Sequence, residues 1–347
     1  MSQTRSRNTT RELHVGVVGA TGLVGETFLE LMQERKFPVG TLKLFASERS
    51  KGVTRRFAVR EVEVETLKPG GFDGLDLVFF SSGDEISREW APQAERAGAI
   101  AIDNSAAFRM SPDHTLIVPE VNGHLLPKPG TPALIANPNC STIQLVVALN
   151  PLRKDFGLES IHVATYQAVS GAGKAGQEEL ATQLKSWNRG EDLPSPQSFP
   201  HPIAMNCIPQ IGSFQDNGFC SEEVKIMNET KKILGDNSFR VSAFAVRIPA
   251  WNAHSEAVWV RLKGRPSRED VLASLRRQPG LIIEDDPLKS VYPLARTYSN
   301  KDPVAVGRVH QDLDDPQTWL LWIVADNLRK GAALNGVHIA ERIFDIR

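Results

Sequence analysis

Up to about residue 140, short apolar runs alternate with stretches in which apolar residues recur at the spacing of one helix face. Leu13-His14-Val15-Gly16-Val17-Val18 has the pattern of a buried strand, and Phe28, Leu31 and Met32 then fall at helical spacing. Residues 42–46, 75–80 and 99–102 supply three more predicted strands, with a helix around 87–97 before the last. The run 133–136 is broken by Pro138 and Asn139. Ile143, Val146, Val147 and Asn150 then recur near helical spacing before Pro151, which predicts strand, tight turn and helix. Alternation of this kind implies a parallel sheet with ligands at the carboxyl ends of its strands.

Beyond Cys140 the texture changes. Residues 160–167 alternate like a half-buried antiparallel strand and run into Ala168-Val169-Ser170-Gly171-Ala172-Gly173-Lys174. Asn188-Arg189-Gly190, followed by Pro194, Pro196, Pro200 and Pro202, reads as a surface excursion, with apolar structure resuming at Ile203. Ser221 is predicted to cap a helix that carries Glu222 and Glu223 in its first turn. Residues 239–249 and 257–262 read as two strands joined like a hairpin, with Arg247 and His254 near the connection. From Asp326 an amphipathic helix is expected to about Phe344, packing back on the first domain.

The resulting expectation is an α/β protein in three parts. Residues 1–12 form a flexible arm; 13–139, completed by the terminal helix at 327–347, form a Rossmann-type dinucleotide-binding domain; and 140–326 form an α+β domain with a mixed, largely antiparallel sheet.

Length and charge narrow the partners. The 347 residues, 41% of them hydrophobic, suffice for two domains with real cores. A net charge of -1 gives no electrostatic reason to expect nucleic acid or an anionic membrane, so a small molecule is the expected partner. Cys140, Cys207 and Cys220 are odd in number and widely spaced, with no zinc-like Cys/His spacing. No metal is therefore expected, and the setting reads as a reducing cytoplasm. The polar, basic residues 1–11 lack the apolar centre of a signal peptide, and no run approaches the length of a membrane span.

Candidate chemistry begins at Gly19-Ala20-Thr21-Gly22-Leu23-Val24-Gly25, a GxxGxxG loop between strand and helix. Glycines let the backbone turn tightly and approach a pyrophosphate, whose charge the following helix N-terminus meets; a tight turn with no ligand is the competing reading. The second predicted strand ends in Ser47-Glu48-Arg49-Ser50-Lys51. Arg49 among hydroxyls suits the 2′-phosphate of NADP, Glu48 suits the ribose of NAD, and a plain solvated loop is the alternative to both. NADP is the favoured reading. Ser81-Ser82-Gly83 ends the third strand with small residues suited to close approach by a cofactor, and Asp103-Asn104 leads from the fourth toward Arg109, where an anionic group could be gripped.

Cys140 falls at a predicted helix start, where free amide groups favour an anion and lower a thiol pKa. A buried small hydrophobe is the other reading of a lone cysteine. His254 has the side chain suited to proton transfer near neutrality, and Glu222 and Lys225 lie one turn apart on one helix face.

These features together resemble the aspartate-semialdehyde dehydrogenase family over nearly all of the chain, from Leu13 to Phe344. The matching stretches are Gly19 to Gly25, Asn137-Pro138-Asn139-Cys140-Ser141-Thr142, Thr165 to Gly173, Val246-Arg247-Ile248-Pro249, Ala253-His254-Ser255-Glu256 and Asp326 to Ala333. The resemblance implies NADPH-dependent reductive dephosphorylation of L-aspartyl-4-phosphate to aspartate 4-semialdehyde and phosphate, through a thioester on Cys140. The product of such a reaction feeds lysine/diaminopimelate, methionine, threonine and isoleucine synthesis. His254 would be the acid/base, taking the thiol proton or protonating the developing alkoxide, and Gln167 would orient the substrate. Arg247 would hold the α-carboxylate, Glu222 the α-amino group, and Arg109 and Lys225 the phosphate, with Asn139 beside them. Cofactor contacts would come from Gly19, Thr21, Gly22, Leu23, Val24, Gly25, Ser47, Arg49, Ser50, Ser82, Gly83, Asn104, Ser170, Gly171 and Asn327. The second domain would be catalytic and form the interface of a homodimer or homotetramer. Glu48 departs from the small or hydroxylic loop of NADP-dependent members. The alternatives are an N-acetyl-γ-glutamyl-phosphate reductase and a non-catalytic paralogue.

Overall fold

A computed structural model describes residues 11–346, so the predicted arm lies almost wholly outside the described residues. The first part of the chain runs β1 (Leu13–Val18), α1 (Leu23–Glu34), β2 (Val39–Phe45), β3 (Thr54–Phe57), β4 (Arg60–Glu65), β5 (Leu77–Phe80), α2 (Asp84–Arg96), β6 (Ile100–Asp103), β7 (Thr115–Leu116), α3 (Pro119–Asn122) and β8 (Ala133–Ala136). Its strands form one sheet in the order β3-β4-β2-β1-β5-β6-β8-β7. Every pairing in it is parallel except β3 with β4.

The apolar runs are continuous because both faces are covered. Leu77 and Phe79 of β5 join Val15 and Val17 in the core under α1, where Phe79 stacks on Phe28 with ring centroids 4.0 Å apart. Val78 and Phe80 point the other way, into a core with Ala91 and Ala94 of α2. The β3–β4 edge hairpin, whose second strand is Arg60-Glu61-Val62-Glu63-Val64-Glu65, was not part of the predicted pattern.

The second part comprises α4 (Cys140–Phe156), β9 (Leu158–Gln167), α5 (Gly173–Asn188), α6 (Ser221–Leu234), β10 (Arg240–Arg247), β11 (His254–Leu262), α7 (Arg268–Arg276), β12 (Leu281–Ile283), α8 (Ala295–Tyr298), β13 (Val304–Gln311) and β14 (Thr318–Ala325). Its sheet has the order β10-β9-β11-β14-β13-β12 and is mixed, with β10·β9 and β12·β13 parallel and the rest antiparallel. Helix α4 covers the inner face, burying Ile143, Leu145, Val146, Val147 and Leu149 against Ile161, Val163, Val258 and Val260. A π-helical turn, Arg329–Ala333, leads into α9 (Leu334–Ile343), whose Val337, Ile339 and Ala340 pack into the core of the first sheet.

Three sequence expectations are corrected. The strands at 240–247 and 254–262 are not a hairpin: β9 lies between them. Residues 248–253 pass over the end of β9, with Ile248 N–H donating to Gln167 O and Val169 N–H to Ala250 O. Helix α4 does not stop before Pro151 but continues to Phe156, ending at Gly157 with φ +71°. Pro151 forfeits one backbone hydrogen bond, and the burial of Leu149 and Leu152 around it holds the helix together. The cap of α6 is Cys220, one residue earlier than predicted, whose N–H donates to Glu223 Oε2 at 2.8 Å.

Candidate active site

The crossing over β9 aligns three strand ends. Arg247 of β10 sits opposite Gln167 of β9, and Ser255 of β11 sits opposite Tyr166, which brings His254 to the same end. Above them α4 begins at Cys140. Its cap is Asn139, whose Oδ1 accepts from the N–H groups of Ser141 (3.0 Å) and Thr142 (3.2 Å). Gln167 Nε2 donates to Ser141 Oγ at 2.8 Å and so ties the strand to the first turn of the helix.

A cavity of ≈ 610 Å³ opens between the two sheets. Of the predicted catalytic and substrate-binding residues, Cys140, Gln167, Arg109, Asn139, Glu222, Lys225 and Arg247 line it. Glu222 Oε1 accepts from Asn139 Nδ2 (2.8 Å) and Gln167 Nε2 (3.3 Å), and Oε2 lies 3.5 Å from Lys225 Nζ. Burial works against its charge, but Lys225, Asn139, Arg247 and Gln167 hold its carboxyl below the usual range. Arg247 Nη1 donates to Ala168 O at 2.7 Å. Arg109 donates from Nε to Asn137 O (2.9 Å), from Nη2 to Asn104 O (2.9 Å) and from Nη1 to Glu229 Oε1 (3.1 Å). Those three bonds leave two of its five N–H groups to serve an anion in the cavity.

His254 is fully buried and does not line the cavity. It lies under Gly171, where a Cβ would come 3.5 Å from the imidazole and 2.7 Å from Arg247 Nη1, so a larger residue there would require the guanidinium to shift. Its Nδ1 faces Ala168 N–H at 3.0 Å. An amide N–H only donates, so Nδ1 accepts and the neutral ring carries its proton on Nε2, which has no partner. Burial, aided by the charge of Arg247, pushes the imidazole well below its usual range and keeps it neutral.

The thiol departs from expectation. Cys140 is pushed up to about 12, by burial first and by the carboxylate of Glu222 second, against Arg247, Arg109 and the Ser141 amide. The helix start acts in the predicted direction and is outweighed. The resting group is a thiol, partly exposed to the cavity.

The predicted cofactor residues fall into two sets. Val24, Asn104, Ser170, Gly171 and Asn327 line the cavity. Gly19, Thr21, Gly22, Leu23, Gly25, Ser47, Arg49, Ser50, Ser82 and Gly83 lie outside its lining, on the segments that follow β1, β2 and β5, with Leu23 and Gly25 in the first turn of α1. The loop is tightly wound: a Cβ at Gly25 would meet Gly19 O at 2.3 Å, and nearby Ser82 Oγ is buried without a partner. Thr21 Oγ1 lies 3.4 Å from Ser50 Oγ, while Arg49 is exposed and Glu48 lies 3.8 Å from Lys51.

Several residues escaped sequence reading. Glu229, two turns beyond Glu222 on α6, pairs with Arg109 and accepts the N–H of Asn139 at 2.7 Å. The spacing of Glu222 and Glu229 was the available signal. Lys174 reaches across from α5, donating to Thr21 O at 2.9 Å and pairing with Glu26 at 2.7 Å. Lys330 is buried on Glu120, 2.7 Å from both of its oxygens, and on Asn335 Oδ1. Among the described residues no group of His, Cys, Asp and Glu could hold a metal ion, and no helix is long and apolar enough to cross a membrane.

A parallel sheet with a glycine cradle, joined to a mixed sheet carrying a cysteine at a helix start, defines a nicotinamide-cofactor oxidoreductase of the semialdehyde dehydrogenase class. Residues 14–128 match the family model described as semialdehyde dehydrogenase, NAD binding domain, and 149–330 match semialdehyde dehydrogenase, dimerisation domain. The aspartate-semialdehyde dehydrogenase of Aquifex aeolicus is 45% identical over 94% of this chain and 96% of that protein; that of Bacillus subtilis is 44% identical over 96% and 98%. Aspartate semialdehyde dehydrogenase II of Vibrio cholerae complexed with ASA superposes with a TM-score of 0.91 at 43% identity, over 96% of this chain and 99% of that one. The Candida albicans enzyme with NADP gives 0.75 at 25% identity, over 97% and 100%. The chain belongs to the aspartate-semialdehyde dehydrogenase family.

Proposed function

We propose that this cavity carries out the NADPH-dependent reductive dephosphorylation of L-aspartyl-4-phosphate, and its reversal, with Cys140 as the nucleophile. The observation that carries this reading is the convergence of Cys140, three cations (Arg109, Lys225, Arg247) and the carboxylate of Glu222 on one cavity, with the unpartnered Nε2 of His254 buried just behind Gly171 of its lining. A substrate with a carboxylate, an ammonium group and an acyl phosphate finds a partner for each charge: Arg247, Glu222, and Arg109 with Lys225.

Cys140 Sγ attacks the acyl carbon and the C–O bond to phosphate breaks, leaving a thioester. His254 has no free lone pair, because Ala168 N–H occupies Nδ1, so the thiol proton leaves with the departing phosphate as hydrogen phosphate. NADP(H), when bound, supplies or removes the hydride at the thioester carbon. His254 Nε2–H then donates to the oxygen that becomes negative, which suits a group held neutral by burial. On collapse the C–S bond breaks and the semialdehyde departs; the neutral imidazole keeps its Nε2 proton throughout, and the departing thiolate takes one proton from solvent. Asn139 and Gln167 hold Glu222 and the helix start in place throughout.

For the cofactor, the glycine cradle, Ser82 Oγ, Asn104, Ser170, Gly171 and Asn327 fit a dinucleotide, and Arg49, Ser47, Ser50 and Thr21 fit a 2′-phosphate. Glu48 is offset by Lys51, which supports NADP over NAD. The division at 139/140, with residues 327–347 returning to the first domain, belongs to the same reading. So does a cytoplasmic homodimer or homotetramer formed through the outer face of the second sheet, where Phe244 and Trp259 are exposed.

The test is phosphate-dependent reduction of NADP with L-aspartate 4-semialdehyde, beside Cys140→Ala. Turnover without phosphate, or an active alanine variant, overturns the reading. N-acetylglutamate semialdehyde should be a poor substrate, because its acylated amine carries no charge for Glu222.

A further inference from the structure

Little backbone bonding holds the loop that carries Arg109. Between β6 and β7 the chain runs from Asn104 to His114 without helix or strand. Among the described residues one backbone–backbone hydrogen bond lies within this loop, from Ser111 N–H to Phe108 O at 3.1 Å, and no backbone N–H reaches the carbonyl of Arg109 or of Ser111. Carbonyls away from water need a donor, so the loop depends on one from elsewhere.

The donor is Lys232 of α6, whose Nζ donates to Arg109 O (2.8 Å), Ser111 O (2.6 Å) and His114 O (3.0 Å). An ammonium group has three donors and no acceptor, so these bonds use all that it has. A lysine in the last turn of a helix would ordinarily serve that helix's own unpaired carbonyls. Lys232 instead serves a loop 118 to 123 positions away in sequence. Glu229, three residues before it, holds the guanidinium of the same arginine at 3.1 Å, so α6 grips Arg109 by both backbone and side chain. Glu222, Lys225, Glu229 and Lys232 recur at intervals of 3, 4 and 3, which puts them on one face of the helix. The first two line the cavity, and the last two hold the arginine that lines it with them.

We infer that Lys232 is a positioning residue for the phosphate group of the substrate: by binding three carbonyls of the 109–114 loop, it sets where the Arg109 guanidinium stands relative to Lys225 on its own helix. The two cations of the phosphate site come from different parts of the chain, and the stripe on α6 fixes the spacing between them. The inference deepens the proposed reaction and rests on Arg109 and Lys225 receiving the phosphate.

The phosphorylating direction takes phosphate, semialdehyde and NADP as separate reactants, so a defect can be assigned to one of them. Lys232→Met keeps most of the side chain and removes its donors. It should raise KM for phosphate about tenfold or more, with KM for the semialdehyde and for NADP within about twofold of the parent, because a small misplacement of a binding group is enough. Lys231→Met takes the same charge from the same turn but none of these bonds, and should leave all three constants as they are. Lys232→Gln keeps two of the three donors on a shorter stem and should raise KM for phosphate by less; it decides the matter if the methionine variant does not fold. An unchanged KM for phosphate overturns the inference whatever happens to Tm, and so does an equal rise in all three constants. Turnover of the parent without phosphate overturns the proposed reaction and this inference with it, whereas a phosphate-dependent parent with an unaffected Lys232→Met overturns the inference alone.

Discussion

Asn139 Nδ2 donates to Glu222 Oε1 at 2.8 Å while Asn139 Oδ1 caps the helix that starts at Cys140. One carboxamide therefore holds both the helix that begins at Cys140 and the carboxylate that opposes ionisation of its thiol. Asn139→Ala should lose about 1 kcal/mol from the cap, read as a lower midpoint in denaturant. It also frees Glu222, so substrate KM should rise as well.

Glu222 raises the thiol of Cys140, so removing its charge should lower that thiol from about 12. In Glu222→Gln the pH profile of iodoacetamide alkylation without substrate should move to lower pH. Substrate recognition moves the opposite way: loss of a charged hydrogen bond should cost about tenfold to a hundredfold in kcat/KM. An unchanged alkylation profile would remove Glu222 from control of the thiol.

His254 is held neutral, and its donor is Nε2–H. His254→Ala should lower kcat by about two to four orders of magnitude, with the fold intact by circular dichroism. The linkage has a definite sign. A histidine whose folded value is depressed contributes stability that is present above its ordinary value and lost as pH falls toward the folded value. Denaturation midpoints of His254→Asn should therefore decline less steeply on acidification than those of the parent.

Glu229 is buried against Arg109 and accepts the Asn139 N–H. Removing one member of such a pair leaves the other charge stranded, at about 3–5 kcal/mol. Glu229→Ala should show that loss in urea unfolding, together with a weakened phosphate dependence of the reaction.

Arg49→Ala should raise the Kd of NADP about tenfold and leave that of NAD nearly unchanged, as measured by quenching of intrinsic fluorescence. Equal effects on the two cofactors would place Arg49 away from the 2′-phosphate.

What could be read from the sequence was what neighbouring residues determine. The alternation of β1, α1, β5, α2 and β6 is written in local periodicity, and both faces of that sheet are covered, so the runs stay apolar. The β3–β4 hairpin was not legible because its strands are largely charged and half-exposed. Local cues also suggested that β10 and β11 pair with each other, since proximity in sequence carries no information about the strand that inserts between them. The same limit explains the thiol: the helix start at Cys140 is local, but Glu222 is on another helix and burial belongs to the whole fold. The motifs nevertheless contained Asn139, Cys140, Gln167, Ser170, Gly171, Arg247 and Asn327 of the cavity lining, because each motif contributes a short segment with its own geometry. Glu229 lay in no motif and was signalled only by its spacing from Glu222, and Lys330, although inside the stretch Asp326 to Ala333, reads as an ordinary charge until its buried partner Glu120 is known.

Asn335 donates from Nδ2 to Asn137 Oδ1 at 2.7 Å across 198 positions of chain, and a Cβ at Gly331 would come within 3.0 Å of that of Cys140. Cys140 thus rests against a segment that translation reaches only long after the cysteine itself. A nascent chain with its first sheet complete still lacks this buttress, so the thiol acquires its working surroundings only once residues 331–335 have emerged and docked.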